Sequence, residues 1–141
     1  MRGLWGLFLM GWALSTGCTG SEAPSSPSIP SSADWSKIGD TDVYTYYVDR
    51  GSVRKADETV TLYDLFDYKT AQTDGGAEVL SKITLREYDC QNQKSQPVKT
   101  TWYAGHMGSG TVVRTGGPSG QLTPVTSGTA TAGLMKIAYG P

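Results

Sequence analysis

The chain has 141 residues, 18% of them charged, and a formal net charge of −1. That length suits one domain once a targeting segment is set aside, and a nearly neutral chain lacks the basic surface that nucleic-acid phosphates require. Its 18 glycines and recurrent Thr, Val and Tyr favour strands and turns over helices.

Met1-Arg2 and the apolar run from Gly3 to Leu14 form the charged and hydrophobic regions of a secretory signal. The run is too short to span a bilayer stably. Leu14-Ser15-Thr16-Gly17-Cys18 resembles the lipobox of bacterial lipoproteins, where small residues precede a cysteine that becomes the new N-terminus. The chemistry needs a thiol because the diacylglyceryl group is joined as a thioether, and small residues because the peptidase approaches the backbone closely. Ser15 departs from the pattern, which usually carries Leu three residues before the cysteine. Residues 1–17 are therefore expected to be the signal peptide and Cys18 the lipidated residue, stably anchored because several acyl chains hold where one is marginal. The competing cleavage, after Ala23, would place Pro24 first, which signal peptidases tolerate badly. Thr19, in place of an Asp that would suggest inner-membrane retention, points by resemblance to the outer membrane.

Residues 18–33 continue as a tether. From Thr19 to Ala33 there are three prolines and six serines with one large apolar residue. Such a segment cannot bury enough surface to offset the entropy of ordering, so it holds a domain, residues 34–141, away from its anchor.

Inside that domain the two-residue period recurs. Tyr44, Tyr46 and Val48 share a face of the strand Val43–Val48. Asp49-Arg50-Gly51-Ser52 and Lys55-Ala56-Asp57-Glu58 read as turns. Thr59–Tyr68 carries Val60, Leu62 and Phe66 on one side and Thr61, Tyr63 and Leu65 on the other, the pattern of a central strand covered on both faces. After a loop at Thr73–Gly76, Leu80–Cys90 and Val98–Tyr103 read as strands joined by the polar stretch Gln91–Pro97. Ile83 and Leu85 are out of phase with Tyr88 and Cys90, which a β-bulge near Glu87 would reconcile. Thr111–Val113 predicts a short strand before the loop Gly116–Gly120. Ser127 is placed to cap a short helix with Ala130, Leu134, Ile137 and Ala138 in one stripe. The expected fold class is α+β, mostly β: a small antiparallel sheet with one short C-terminal helix.

Chemistry-bearing residues are sparse. Cys90 with His106 could form a nucleophile pair, but an alternating strand does not supply the positive surroundings that lower a thiol pKa. His106 is the single histidine and has no companions at metal-ligand spacing. Ala104–Gly110 is glycine-rich without the Lys-Ser/Thr and helix of a phosphate cradle. Asp64 and Asp67 fall on opposite strand faces and are expected at the sheet margin, solvated or hydrogen-bonded. No catalytic residue, cofactor or metal is expected. Most of the tyrosines, with Trp35 and Trp102, are expected in the core. Lys82, Arg86, Lys99 and Trp102 are the candidate partner-binding residues, a basic-plus-aromatic set of the kind common at interfaces. Strand register decides whether they share a face.

The ordered set Trp35–Gly39, Tyr46–Arg54, Val60–Tyr68, Leu80–Lys82, Glu87-Tyr88-Asp89-Cys90 and Gly108–Val113 resembles the surface-adhesin protein E family of proteobacteria, over Trp35 to Tyr139. The resemblance implies an antiparallel sheet with a C-terminal helix and an outer-membrane lipoprotein. For the characterised adhesins it also implies attachment to host matrix proteins such as vitronectin and laminin. The expected partners are thus a membrane, through the N-terminal lipid, host matrix proteins and a second copy of the chain. The alternative is a periplasm-facing accessory or structural lipoprotein without a host partner. The family commonly has a second cysteine near the C-terminus that could pair with the one in Tyr-Asp-Cys; here Tyr139 stands in its place. Cys90 is then a free thiol, an intermolecular bridge or a partner of Cys18.

Overall fold

The computed structural model describes residues 34–139; the expected signal peptide, Cys18 and the tether lie outside them. Seven strands form one antiparallel sheet: β1 (Trp35–Asp40), β2 (Tyr44–Ala56), β3 (Thr59–Asp74), β4 (Ala77–Asp89), β5 (Lys94–Tyr103), β6 (Val112–Gly116) and β7 (Thr123–Pro124). The first six follow one another in space as in sequence, and β7 pairs with the start of β5. One helix, α1 (Ala130–Tyr139), closes the chain. The expected mostly-β fold with a C-terminal helix is what forms.

The central strand is β3. Its even-numbered residues Val60, Leu62 and Phe66 join Val48, Tyr88 and the helix residues Ala130, Leu134, Met135 and Ala138 in one core. Its odd-numbered residues Tyr63 and Leu65 join Ile83 and Leu85 on the opposite face. That second face carries a 3₁₀ turn, His106–Gly108, against β3 and β4. Gly108 has a φ of +72°, and a Cβ there would stand 2.7 Å from Ile83 Cδ1, so both conformation and contact require glycine.

The helix exists because the sheet covers it. Thr131 and Gly133 are weak helix formers, and ten residues are too few to be helical alone in water. Thr129, not the expected Ser127, is the cap: its Oγ1 accepts the Ala132 N–H at 3.2 Å, three residues into the helix. At the other end the Tyr139 hydroxyl donates to the Cys90 carbonyl at 2.8 Å, tying the last helical residue to the end of β4.

Three other expectations are corrected. Asp49–Ser52 is not a turn but a bulge within β2, where pairing passes from Asp49 opposite Tyr63 to Arg54 opposite Thr61. Ser52 makes this possible: its Oγ accepts the Tyr63 N–H at 2.9 Å and donates to the Asp49 carbonyl at 2.6 Å, replacing the lost ladder bonds. The irregularity expected near Glu87 lies across the sheet in β5, between the pairs Leu85–Lys99 and Arg86–Pro97. Against β3, β4 pairs without interruption from Asp89 to Ser81. Its apolar residues fall out of phase because it too is buried on both faces. Finally, β1 and β7 are strands that the alternation of apolar residues did not indicate.

Truncating Leu134 to Ala removes the fully buried contact between helix and sheet and should cost about 2–5 kcal/mol. Tyr139→Phe should cost about 1 kcal/mol by losing one hydrogen bond. Urea unfolding measures both, and a Leu134→Ala loss no larger than that of Tyr139→Phe would show that the helix is not anchored as described.

Candidate binding face

The helix packs on β1, β2 and β3. On the same side of the sheet, β4, β5 and β6 lie beyond it. Side chains directly opposite in an antiparallel pair point the same way, so register assigns the faces. Lys82 is opposite Trp102, and Trp102 is opposite Arg114. These three form a row across the sheet on the helix side. Thr84 and Thr100 form the next row, their hydroxyl oxygens 3.3 Å apart, and Arg86 follows two residues along β4. Lys99 is opposite Leu85, on the other face, and is exposed. Of the four candidate residues, Lys82, Arg86 and Trp102 are therefore brought together and Lys99 is not.

Two residues that were not candidates complete the site. Arg114 lays its guanidinium over the Trp102 ring, 3.9 Å from the centroid. Its Nε is 2.9 Å from Asp74 Oδ2, an ion pair out of hydrogen-bonding alignment. Asp64, expected at the sheet margin, is instead 0% exposed at the centre of β3. Arg86 reaches it across the sheet, Nε donating to Asp64 Oδ2 at 3.0 Å.

This pair sets the electrostatics of the floor. Burial pushes the Asp64 carboxyl above its ordinary range, and the Arg86 charge only partly opposes this. The other carboxylate oxygen, Oδ1, and the nearby Tyr88 hydroxyl are buried without hydrogen-bond partners. Burial drives the Tyr88 hydroxyl far up, and the Asp64 charge adds to it. Lys82 sits with its Nζ 4.9 Å from the Phe66 ring centroid. Burial pulls its ammonium down, with Asp64 opposing.

The remaining candidates are dispersed. His106 Nδ1 lies 3.0 Å from Asp67 Oδ1, which also accepts the Met107 N–H at 2.9 Å. These contacts, with the Ser81 hydroxyl donating to the Gly105 carbonyl at 2.6 Å and accepting the Gly108 N–H at 2.8 Å, fasten the glycine-rich turn to the sheet. Cys90 follows the other end of β4, about 30 Å along the strand from Ser81, and is disulfide-bonded rather than a thiol. The chain's other cysteine is Cys18, outside the described residues. Among the described residues no cluster of His, Cys, Asp and Glu is arranged to hold a metal.

The Asp64–Arg86 pair yields a prediction of opposite signs. Asp64→Ala should cost about 3–5 kcal/mol by stranding a buried guanidinium, whereas Asp64→Leu with Arg86→Met should be close to neutral. Because the folded state raises the Asp64 pKa, its proton-linked stability is fully present below the unfolded pKa and is lost as pH rises through the folded one. Relative to the double variant, the wild type should gain stability as pH falls from neutral through the carboxylate range. Urea unfolding across pH tests this; a difference that stays flat would show that Asp64 is not shifted.

The family model for surface-adhesin protein E matches residues 35–138. Among solved structures, crystal form II of Haemophilus influenzae protein E is similar with a TM-score of 0.51 at 16% identity, over 72% of this chain and 90% of that one. Protein E from non-typeable Haemophilus influenzae gives a TM-score of 0.50 at 16% identity, over 85% and 86% of the two chains. At such identities the likeness speaks to the fold alone. No curated protein is similar enough in sequence to count as a relative.

Proposed function

This chain belongs to the surface-adhesin protein E family, and from that premise we propose that it is an exported, lipid-anchored binding protein whose β4–β6 face takes a host extracellular-matrix ligand. The observation that carries this reading is the row Lys82–Trp102–Arg114. It places two cations around an indole on the half of the sheet that the helix leaves uncovered. Aromatic and guanidinium groups supply much of the energy at interfaces, because both lose little rotamer freedom for the contact they make. The family is one of surface adhesins and not an enzyme family.

Anchoring at Cys18 by a thioether in the outer membrane is part of this proposal, supported by the apolar N-terminal run and the small residues before the cysteine. Among the described residues no helix is long and apolar enough to cross a membrane. A sulfur carrying an acyl glycerol cannot also form a disulfide. A bridge from Cys90 would therefore go to a cysteine of another chain if Cys18 is acylated, and to Cys18 if it is not.

Mass spectrometry of the mature protein without reduction should find an N-terminal cysteine bearing acyl chains; a Cys18–Cys90 peptide would sink the anchor. Immobilised vitronectin and laminin should retain the purified full chain, and Lys82→Gln with Arg114→Gln should weaken retention about tenfold, the order expected for two charge-assisted contacts. Protease shaving of intact cells should degrade the domain. Survival of the domain, together with no matrix binding, would favour the periplasm-facing accessory role.

A further inference from the structure

The same face indicates a class of ligand, an inference that rests on the reading of β4–β6 as the binding surface. Lys82 forms no ion pair among the described residues, and its ammonium is held against Phe66 instead of a carboxylate. Arg114 stands on the other side of Trp102, its guanidinium over the indole at 3.9 Å from the centroid. Gly116 lies beneath the other edge of the indole: a Cβ there would be 3.2 Å from Trp102 Cζ3. The lack of a side chain at Gly116 leaves room for that edge of the ring. Adjacent strands are about 4.8 Å apart, so Lys82 and Arg114 are separated by about 10 Å at the backbone, with a ring between them. In the next row Thr84 and Thr100 are buried, their hydroxyl oxygens 3.3 Å from each other, so they underlie the face and do not contact the ligand.

We infer that this face binds a sulfated polysaccharide, with the anionic groups of successive sugars meeting Lys82 and Arg114 and the sugar body lying along Trp102. The pattern is cation, flat ring, cation, on a pleated surface. A polymer that spaces fixed anions with rigid polar rings matches it. An acidic peptide does so less well, because an extended peptide gains its affinity from main-chain pairing along a sheet edge and from side-chain pockets, whereas the row runs across the strands from β4 to the edge strand β6 and presents side chains. Two groups oppose an anion here. Asp64 is buried beneath the surface and engaged by Arg86, and Asp74 is paired with Arg114. The contact is accordingly modest and salt-sensitive, as surface charge contacts are.

The test uses the full chain and heparin as probe. Heparin-agarose should retain the wild-type protein at low salt, Lys82→Gln with Arg114→Gln should bind about tenfold more weakly, and Lys99→Gln, on the opposite face, should bind as the wild type. Soluble heparin should compete, whereas desulfated heparin and polyglutamate should not. Equal competition by polyglutamate overturns the ligand class. Absence of heparin binding, in a protein whose retention on vitronectin or laminin still falls with the Lys82/Arg114 variant, overturns the polysaccharide and leaves the binding face standing. If the variant changes neither, both readings fall. Unchanged circular dichroism and thermal unfolding of the variant separate loss of contact from loss of fold.

Discussion

The whole architecture depends on burying β3 from both sides at once. An antiparallel sheet can leave one face to water, but a strand that carries Val60, Leu62 and Phe66 on one side and Tyr63 and Leu65 on the other cannot. One side is covered by ten helical residues and the other by a turn held in place by Ser81 and Asp67. Neither cover is stable alone. The helix has poor intrinsic propensity, and the turn includes Met107 at a φ of +55° as well as Gly108. Each is ordered by the strand it protects, which makes the domain cooperative in spite of its size.

Against that apolar demand, Asp64 is a local contradiction, a carboxylate in the middle of the most buried strand. It is tolerated because Arg86, on the neighbouring strand β4 and diagonal to it, reaches over to meet it, and the aliphatic stem of Arg86 can cover the sheet while its head makes the bond. Pairs of this kind are seldom net stabilising. What this one does is hold Arg86 down, so that the floor of the uncovered half is polar and fixed. Lys82, Trp102 and Arg114 stand on the same face beside that pair, away from the helix.

How much of this was legible from the residues is decided by the same physics. The two-faced pattern of Thr59–Tyr68 was enough to place the central strand, and the stripe Ala130, Leu134, Ala138 was enough to place the helix, because burial imposes periods that composition alone can reveal. The helix cap was missed by two residues, since Ser127 and Thr129 are equally good caps by type. Asp49–Ser52 looks like a turn because Asp, Gly and Ser favour one, and only Tyr63 opposite reveals that Ser52 bonds across the sheet. The candidate binding face was half legible. Lys82 and Arg86 share a strand and a phase, but their union with Trp102, and the exclusion of Lys99, required the register of β4 on β5, which turns on one extra residue at Val98. Arg114 had no signal of its own, since β6 is short and its pairing defines it. Asp64 did carry one: a charge in phase with Leu62 and Phe66 on a strand otherwise apolar on that side.

The order of the strands in space has a mechanical consequence. The polypeptide enters the sheet at Trp35, in β1, and the row ending at Arg114 lies on the far side, in β4 to β6. If the chain is held by its N-terminus while a ligand pulls on Trp102, tension runs sideways through the ladders in series, separating neighbouring strands instead of sliding them lengthwise. The weakest seam then decides how much pull the domain withstands, and that seam is the β1–β2 junction, six residues long and already dislocated between Lys37 and Gly39.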